Sequence, residues 1–273
     1  MKTASISPVN IKLNRAKRIL NSLILDVQKF FYSNPYSVFE SEDPRTGDWS
    51  LRLKINNNPP SEWSAEVGDI IHNLRSALDL LIYQLFIANG SNMIKDTGFP
   101  IYDKKKDLNK NGLKRIYGIN PNAINIIKTI KPYRRGNLRL WQLHQVDIVD
   151  KHKIIIGIGG SHESVIIDSG DMFKNLENLS PNISFPSIPI GIRPADRQFP
   201  LKDGDILFSV KKGNDHENFK NTKNKLGLSF GDGKIIKYEP LVPTLQEFVG
   251  LVEDIINKLQ PFINNAPKTP RNS

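Results

Sequence analysis

The segment from residue 62 to residue 87 constrains the fold most. Val67, Ile71, Leu74, Leu78, Leu81 and Leu85 recur at spacings of three and four, which is one face of an α-helix. Leu80, Ile82 and Phe86 extend the apolar character around its second half. A helix apolar on nearly every side belongs at the centre of a packed bundle. A polar stripe runs beside the first: Asp69, His72, Ser76, Asp79 and Tyr83, again three and four apart. Asp79 sits inside Leu78-Asp-Leu-Leu-Ile82, where an unpaired carboxylate is costly, so it needs a partner. Arg75, one turn earlier, is the nearest.

Three further segments supply neighbours. Residues 8–32 carry Leu13, Ala16, Leu20, Leu23, Val27 and Phe30 on one stripe. Residues 138–152 read as a helix running into a strand at 154–158. Thr244-Leu-Gln-Glu247 reads as a capping box opening a helix to residue 263. A short helix starts at Asn120-Pro121 and ends at Lys131-Pro132. Residues 104–113 are too polar to assign. Tyr36–Phe39 and Trp49–Ile55 read as a hairpin around Asp43-Pro-Arg-Thr-Gly47. More strands are expected at 164–168, 205–210, 226–230 and 234–238, with a Pro-rich surface excursion or edge at 170–203. The expected fold is therefore one α+β domain over residues 8–263. It has a helical part to residue 152 with its hairpin at 36–55, an antiparallel β part at 153–240, and a closing helix at 244–263. Residues 264–273 read as a disordered tail.

Composition narrows the function. There are no cysteines, which removes disulfides, thiol catalysis and zinc–thiolate sites. No apolar run is long enough to span a membrane, and the N-terminus lacks a signal-peptide core, so a cytoplasmic protein is expected. No Walker or dinucleotide-binding pattern is present, so no cofactor is expected. The formal net charge is +10, a footprint shared by RNA and DNA binders and by proteins with a lysine-rich solvated surface. Tyr133-Arg134-Arg135 is an aromatic-basic step that can stack on and neutralise nucleic acid, or simply be a wet loop. Ser161-His162 and Asp215-His216 fall in expected surface loops.

The second chemical cluster runs from Arg139 to His152. His144, Asp147 and Lys151 share a helix face, and Asp150 lies on another with Leu143 and Val146. His152, at the helix end, suits a capping role more than a catalytic one. Packing of 62–87 against 138–152 would bring His72, Arg75, Asp79, His144 and Asp147 together. That set is either a structural network or a site acting on a phosphate, with Arg as electrophile and His as acid or base. Asp69-x-x-His72 and His144-x-x-Asp147 also allow a metal between the two helices; no metal site is expected.

Two resemblances bear on this cluster. Arg139 and His144 spell R-x4-H, similar to the signature of HEPN-type ribonucleases. That resemblance implies metal-independent RNA cleavage by a homodimer, in defence or as a toxin, with the 2′-hydroxyl attacking the adjacent phosphate. More broadly, His72-Asn-Leu-Arg-Ser-Ala-Leu-Asp79, Gly98-Phe-Pro-Ile101, Ile130-Lys-Pro-Tyr133 and Leu140–His152 resemble a family of bacterial proteins of uncharacterised function. By that resemblance His72, Arg75, Asp79, His144, Asp150, Lys151 and His152 match the family pattern; Arg139 does not clearly belong to it.

Overall fold

The computed structural model describes residues 3–91, 97–152, 158–168, 189–192, 199–214, 216, 222–231, 234–236 and 238–264. The fold is α+β. Helix α1 (Ser7–Tyr32) buries Val9, Leu13, Ala16, Leu20 and Leu23. Helix α2 (Glu62–Ala88) packs along it and is buried on most sides; Val67, Ile70, Ile71, Leu74, Leu78, Leu81 and Ile82 are fully enclosed. Helix α3 (Pro121–Ile130) opens on Asn120, whose side chain accepts from the Asn122 amide at 2.9 Å. It closes on Lys131, held at φ 54°. Helices α4 (Leu138–His152) and α5 (Leu241–Leu259) complete the bundle around α2, as the apolar stripes require. No helix among the described residues is long and apolar enough to cross a membrane.

Two three-stranded antiparallel sheets flank the helices. Strands β1 (Tyr36–Glu42) and β2 (Trp49–Ile55) form the expected hairpin. Asp43 Oδ1 accepts from the amides of Arg45 and Thr46, and Gly47 takes φ +70°. The hairpin is not isolated: β5 (Ile206–Val210) joins β2 from far along the chain. The second sheet places β3 (Ile158–Asp168) between β4 (Pro189–Ile192) and β6 (Lys223–Phe230). Tyr36 links the sheets: a Cβ on Gly160 would lie 2.7 Å from its phenol oxygen. Burial pushes that phenol up to about 12.

Several sequence expectations are corrected. The separate strand expected at 164–168 is the second half of β3, so Ser161 and His162 are buried strand residues and not a surface loop. The expected strand at 234–238 is not one: Lys234 to Ile236 form turns, and Ile236 is buried under the bundle. Helix α5 begins three residues before Thr244, with Pro240 at its N-cap. Proline is tolerated in a first turn because that N–H has no intrahelical partner, so Pro243 does not delay the start. Thr244 is therefore inside the helix and Glu247 forms an ion pair instead of a capping box. The helix expected to continue to residue 263 ends at Leu259, before a single turn at Pro261–Asn264. Residues 105–115 form irregular helical turns with a π segment at Leu108–Gly112. Residues 154–157 of the strand expected at 154–158, most of the 170–203 excursion, Asp215 and the tail after Asn264 lie outside the described residues, while Ile158 opens β3.

Candidate functional site

The polar stripe of α2 meets α4 in an antiparallel register: His144 against Arg75, Asp147 against His72, Asp150 against Gly68. A Cβ on Gly68 would lie 2.5 Å from Asp150 Oδ2, so a side chain at the last of these positions would have to displace that carboxylate. His72 Nδ1 is 3.1 Å from Asp147 Oδ1. Asp147 is buried while the His72 side chain is 44% exposed, so this pair opens to solvent on one side.

Arg75 is the centre of a clamp. Its Nε donates to His144 Nδ1 at 3.2 Å and one Nη to the Phe99 carbonyl at 3.0 Å. The other Nη lies 2.7 Å from Asp79 Oδ1. Asp79 also accepts from the Phe99 amide at 2.8 Å. The Gly98-Phe-Pro-Ile101 turn is thus pinned to α2 by both backbone groups of Phe99. The partner expected for Asp79 is the one found.

Donor and acceptor roles set the two imidazoles apart. The guanidinium only donates, so His144 Nδ1 accepts and the ring proton of a neutral imidazole sits on Nε2. The Asp147 carboxylate accepts, so His72 Nδ1 carries the proton. In the neutral ring, His72 Nε2 then offers a lone pair, 3.4 Å from Ser76 Oγ. One ring presents a base and the other a donor.

Arg139 points elsewhere. It lies 2.6 Å from Glu239 and 2.7 Å from Glu247, and donates to Gln142 Oε1 at 3.1 Å. Five residues along a helix is about 140° around its axis, so the two members of R-x4-H face different neighbours. Asp69 contributes its carbonyl to Asn73, and no three His, Cys, Asp or Glu side chains gather as a metal site among the described residues. Lys151 and His152 end α4; their side chains lie outside the description.

A basic cleft adjoins this cluster. A parallel bridge pairs Tyr102 with Tyr133, bringing the loop after Ile101 beside the turn after α3. Between them is a cavity of about 470 Å³ lined by Asp103, Lys104, Lys105, Tyr133, Arg134 and Arg135. The Arg134 guanidinium lies 4.6 Å over the Trp141 ring, and the Trp141 indole donates to Asp103 at 2.6 Å. Trp141 is one helical turn from His144, so the cleft and the clamp share α4. Lys104 and Lys105 come from the stretch too polar to assign from sequence, and neither they nor Asp103 carry a sequence signal for this contact. The Tyr133-Arg-Arg step and the Gly98–Ile101 turn were the available signals.

Comparison with protein-family models, with curated proteins and with solved structures yields no match.

Proposed function

We propose that the protein binds single-stranded RNA in the cleft between residues 103–105 and 133–135. The observation that carries this reading is the charge of the cavity: four cations and a tyrosine, with its one acid engaged by Trp141. Cations neutralise phosphates, and aromatic or guanidinium faces stack bases without sequence preference. The Arg75–Asp79–Phe99 clamp is then a structural network that positions the cleft, as two guanidinium nitrogens donate hydrogen bonds within the protein and the third is ion-paired with Asp79.

The test is fluorescence anisotropy of a labelled oligouridylate. Four phosphate contacts predict a log–log salt slope of about −3. Replacing Arg134 and Arg135 together by alanine is expected to weaken binding at least tenfold and roughly halve the slope. Equal affinity for wild type and the double variant refutes the reading.

A second reading, metal-independent RNA cleavage of HEPN type, is favoured by the partly exposed His72 held by the buried Asp147. In it, His72 Nε2 takes the 2′-hydroxyl proton as that oxygen bonds to the adjacent phosphorus, and the P–O5′ bond breaks with the 5′-oxygen taking a proton from solvent to leave a 2′,3′-cyclic phosphate. Cleavage that survives EDTA and disappears in His72→Ala and His144→Ala supports it, and the Arg139→Ala variant tests whether the R-x4-H pair contributes. No cleavage by the wild type refutes it.

A further inference from the structure

Ser76, His72 and Asp147 stand in the order of a nucleophile, its base and the group that orients the base. Ser76 follows His72 by one turn of α2, so both share a face, with Ser76 Oγ 3.4 Å from His72 Nε2. On the other edge of the ring, Nδ1 is 3.1 Å from Asp147 Oδ1. A carboxylate on Nδ1 selects the neutral tautomer whose lone pair is on Nε2, toward the serine hydroxyl. The base is thus matched to the proton it takes. The serine contact is loose, as such contacts are before a substrate tightens them. Asp147 is buried, so its carboxylate is held in place and its charge is little screened. Ser76 and His72 are both partly exposed, so a substrate reaches them from solvent.

A fourth residue completes the set. Helices α2 and α4 run antiparallel, so the step from His72 to Ser76 on α2 lies alongside the step from Asp147 back to His144 on α4. His144 therefore stands beside the turn that carries Ser76. Its Nδ1 accepts from Arg75 Nε, which leaves the proton of the neutral ring on Nε2. A donor of this kind, backed by a guanidinium, suits a developing oxyanion.

We propose that Ser76 is the nucleophile of an acyl-transfer site that hydrolyses small carboxylic esters, with His72 as base and acid, Asp147 positioning His72, and His144 Nε2–H as the oxyanion donor. His72 Nε2 takes the Ser76 hydroxyl proton as Oγ bonds to the ester carbonyl carbon. The bond from that carbon to the alcohol oxygen breaks, and the leaving oxygen takes the proton from His72. Water then adds to the acyl-serine and gives a proton to His72. The carbon–Oγ bond breaks, Ser76 recovers that proton, and the carboxylic acid departs. The site is independent of RNA binding, since none of these four residues lines the cleft at 103–135. It shares His72 with the RNA-cleavage reading, but only the ester reaction passes through a covalent intermediate on Ser76.

The experiment treats the full chain with an alkyl fluorophosphonate, from which a serine oxygen displaces fluoride and keeps the phosphonyl group, and locates the adduct by peptide mass spectrometry. p-Nitrophenyl acetate is the ester probe. The expected result is saturable labelling at Ser76 and a burst of about one nitrophenolate per chain. Ser76→Ala is expected to lose both, and His72→Gln to slow labelling at least tenfold; both positions are partly exposed, so the variants keep the fold. His144→Ala is expected to slow ester turnover at least tenfold. Asp147→Asn is expected to lower the limiting rate of labelling at least tenfold with the half-saturating concentration unchanged, a split that a purely structural role does not produce. No adduct on the wild type, an adduct on a residue other than Ser76, or labelling of His72→Gln at the wild-type rate each overturns the proposal and leaves the Ser76–His72 contact as a hydrogen bond on the helix surface.

Discussion

Replacing Arg75 by methionine keeps the length of the side chain and removes every donor of the clamp. Two charge-assisted hydrogen bonds are lost, to the Phe99 carbonyl and to His144 Nδ1. Each is worth about 1.5–3 kcal/mol. The ion pair with Asp79 contributes less, since that carboxylate is 39% exposed and water screens it; about 1 kcal/mol is reasonable. The buried methylenes of methionine restore part of the loss. The net expectation is a destabilisation of about 3–5 kcal/mol. With a urea m-value of about 3 kcal/mol/M, the midpoint falls by about 1–1.7 M. Trp63 and Trp141 are buried beside the affected helices and report unfolding by fluorescence. Asp79→Asn in a double-mutant cycle isolates the ion pair, whose coupling is expected near 1 kcal/mol. Arg139→Met is the comparison, because its two carboxylate partners lie on the half-exposed side of α4; it is expected to cost about 1 kcal/mol. If Arg75→Met costs no more than Arg139→Met, the clamp does not hold the Phe99 turn and the structural account of the cluster fails.

Two other perturbations follow from single positions. Burial holds the His162 pKa below its ordinary 6.5, so the unfolded chain takes up a proton first as pH falls. Stability from this group is intact above 6.5 and is lost as pH drops from 6.5 toward the lower folded value; the melting temperature of wild type should therefore fall more between pH 7.5 and 5.5 than that of His162→Gln, and equal falls would contradict the assignment. Gly68→Leu drives a bulky side chain into the α2–α4 contact at Asp150 and should lower stability by about 1–3 kcal/mol, measured by thermal melting; an unchanged melting temperature would mean that α2 and α4 are not in this register.

The helices of this protein are legible in its sequence because each buries one continuous stripe, and periodicity reports burial directly. The helices expected at 8–32, 62–87 and 138–152, and the short one opening at Asn120-Pro121, needed nothing beyond their own side chains. The Arg75–Asp79 pair was legible for the same reason, as a charge inside an apolar run must find a neighbour within reach. The hairpin was carried by its turn chemistry. What depends on distant segments was not legible. Nothing local in Trp49–Ile55 says that Ile206–Val210 will pair with it. The pairing of Tyr102 with Tyr133, which turns separate lysines and arginines into one cleft, is a backbone bridge with no sequence pattern of its own. Arg139 and His144 share a helix but not a direction, and only the positions of Glu239 and Glu247 decide where Arg139 goes. His162 appeared to lie in a loop because Gly159 and Gly160 weaken the strand signal, yet the sheet buries it. Local propensity and burial period determined the elements; the contacts that make charge into a site were decided by tertiary packing, because hydrogen bonds and ion pairs depend on proximity in space.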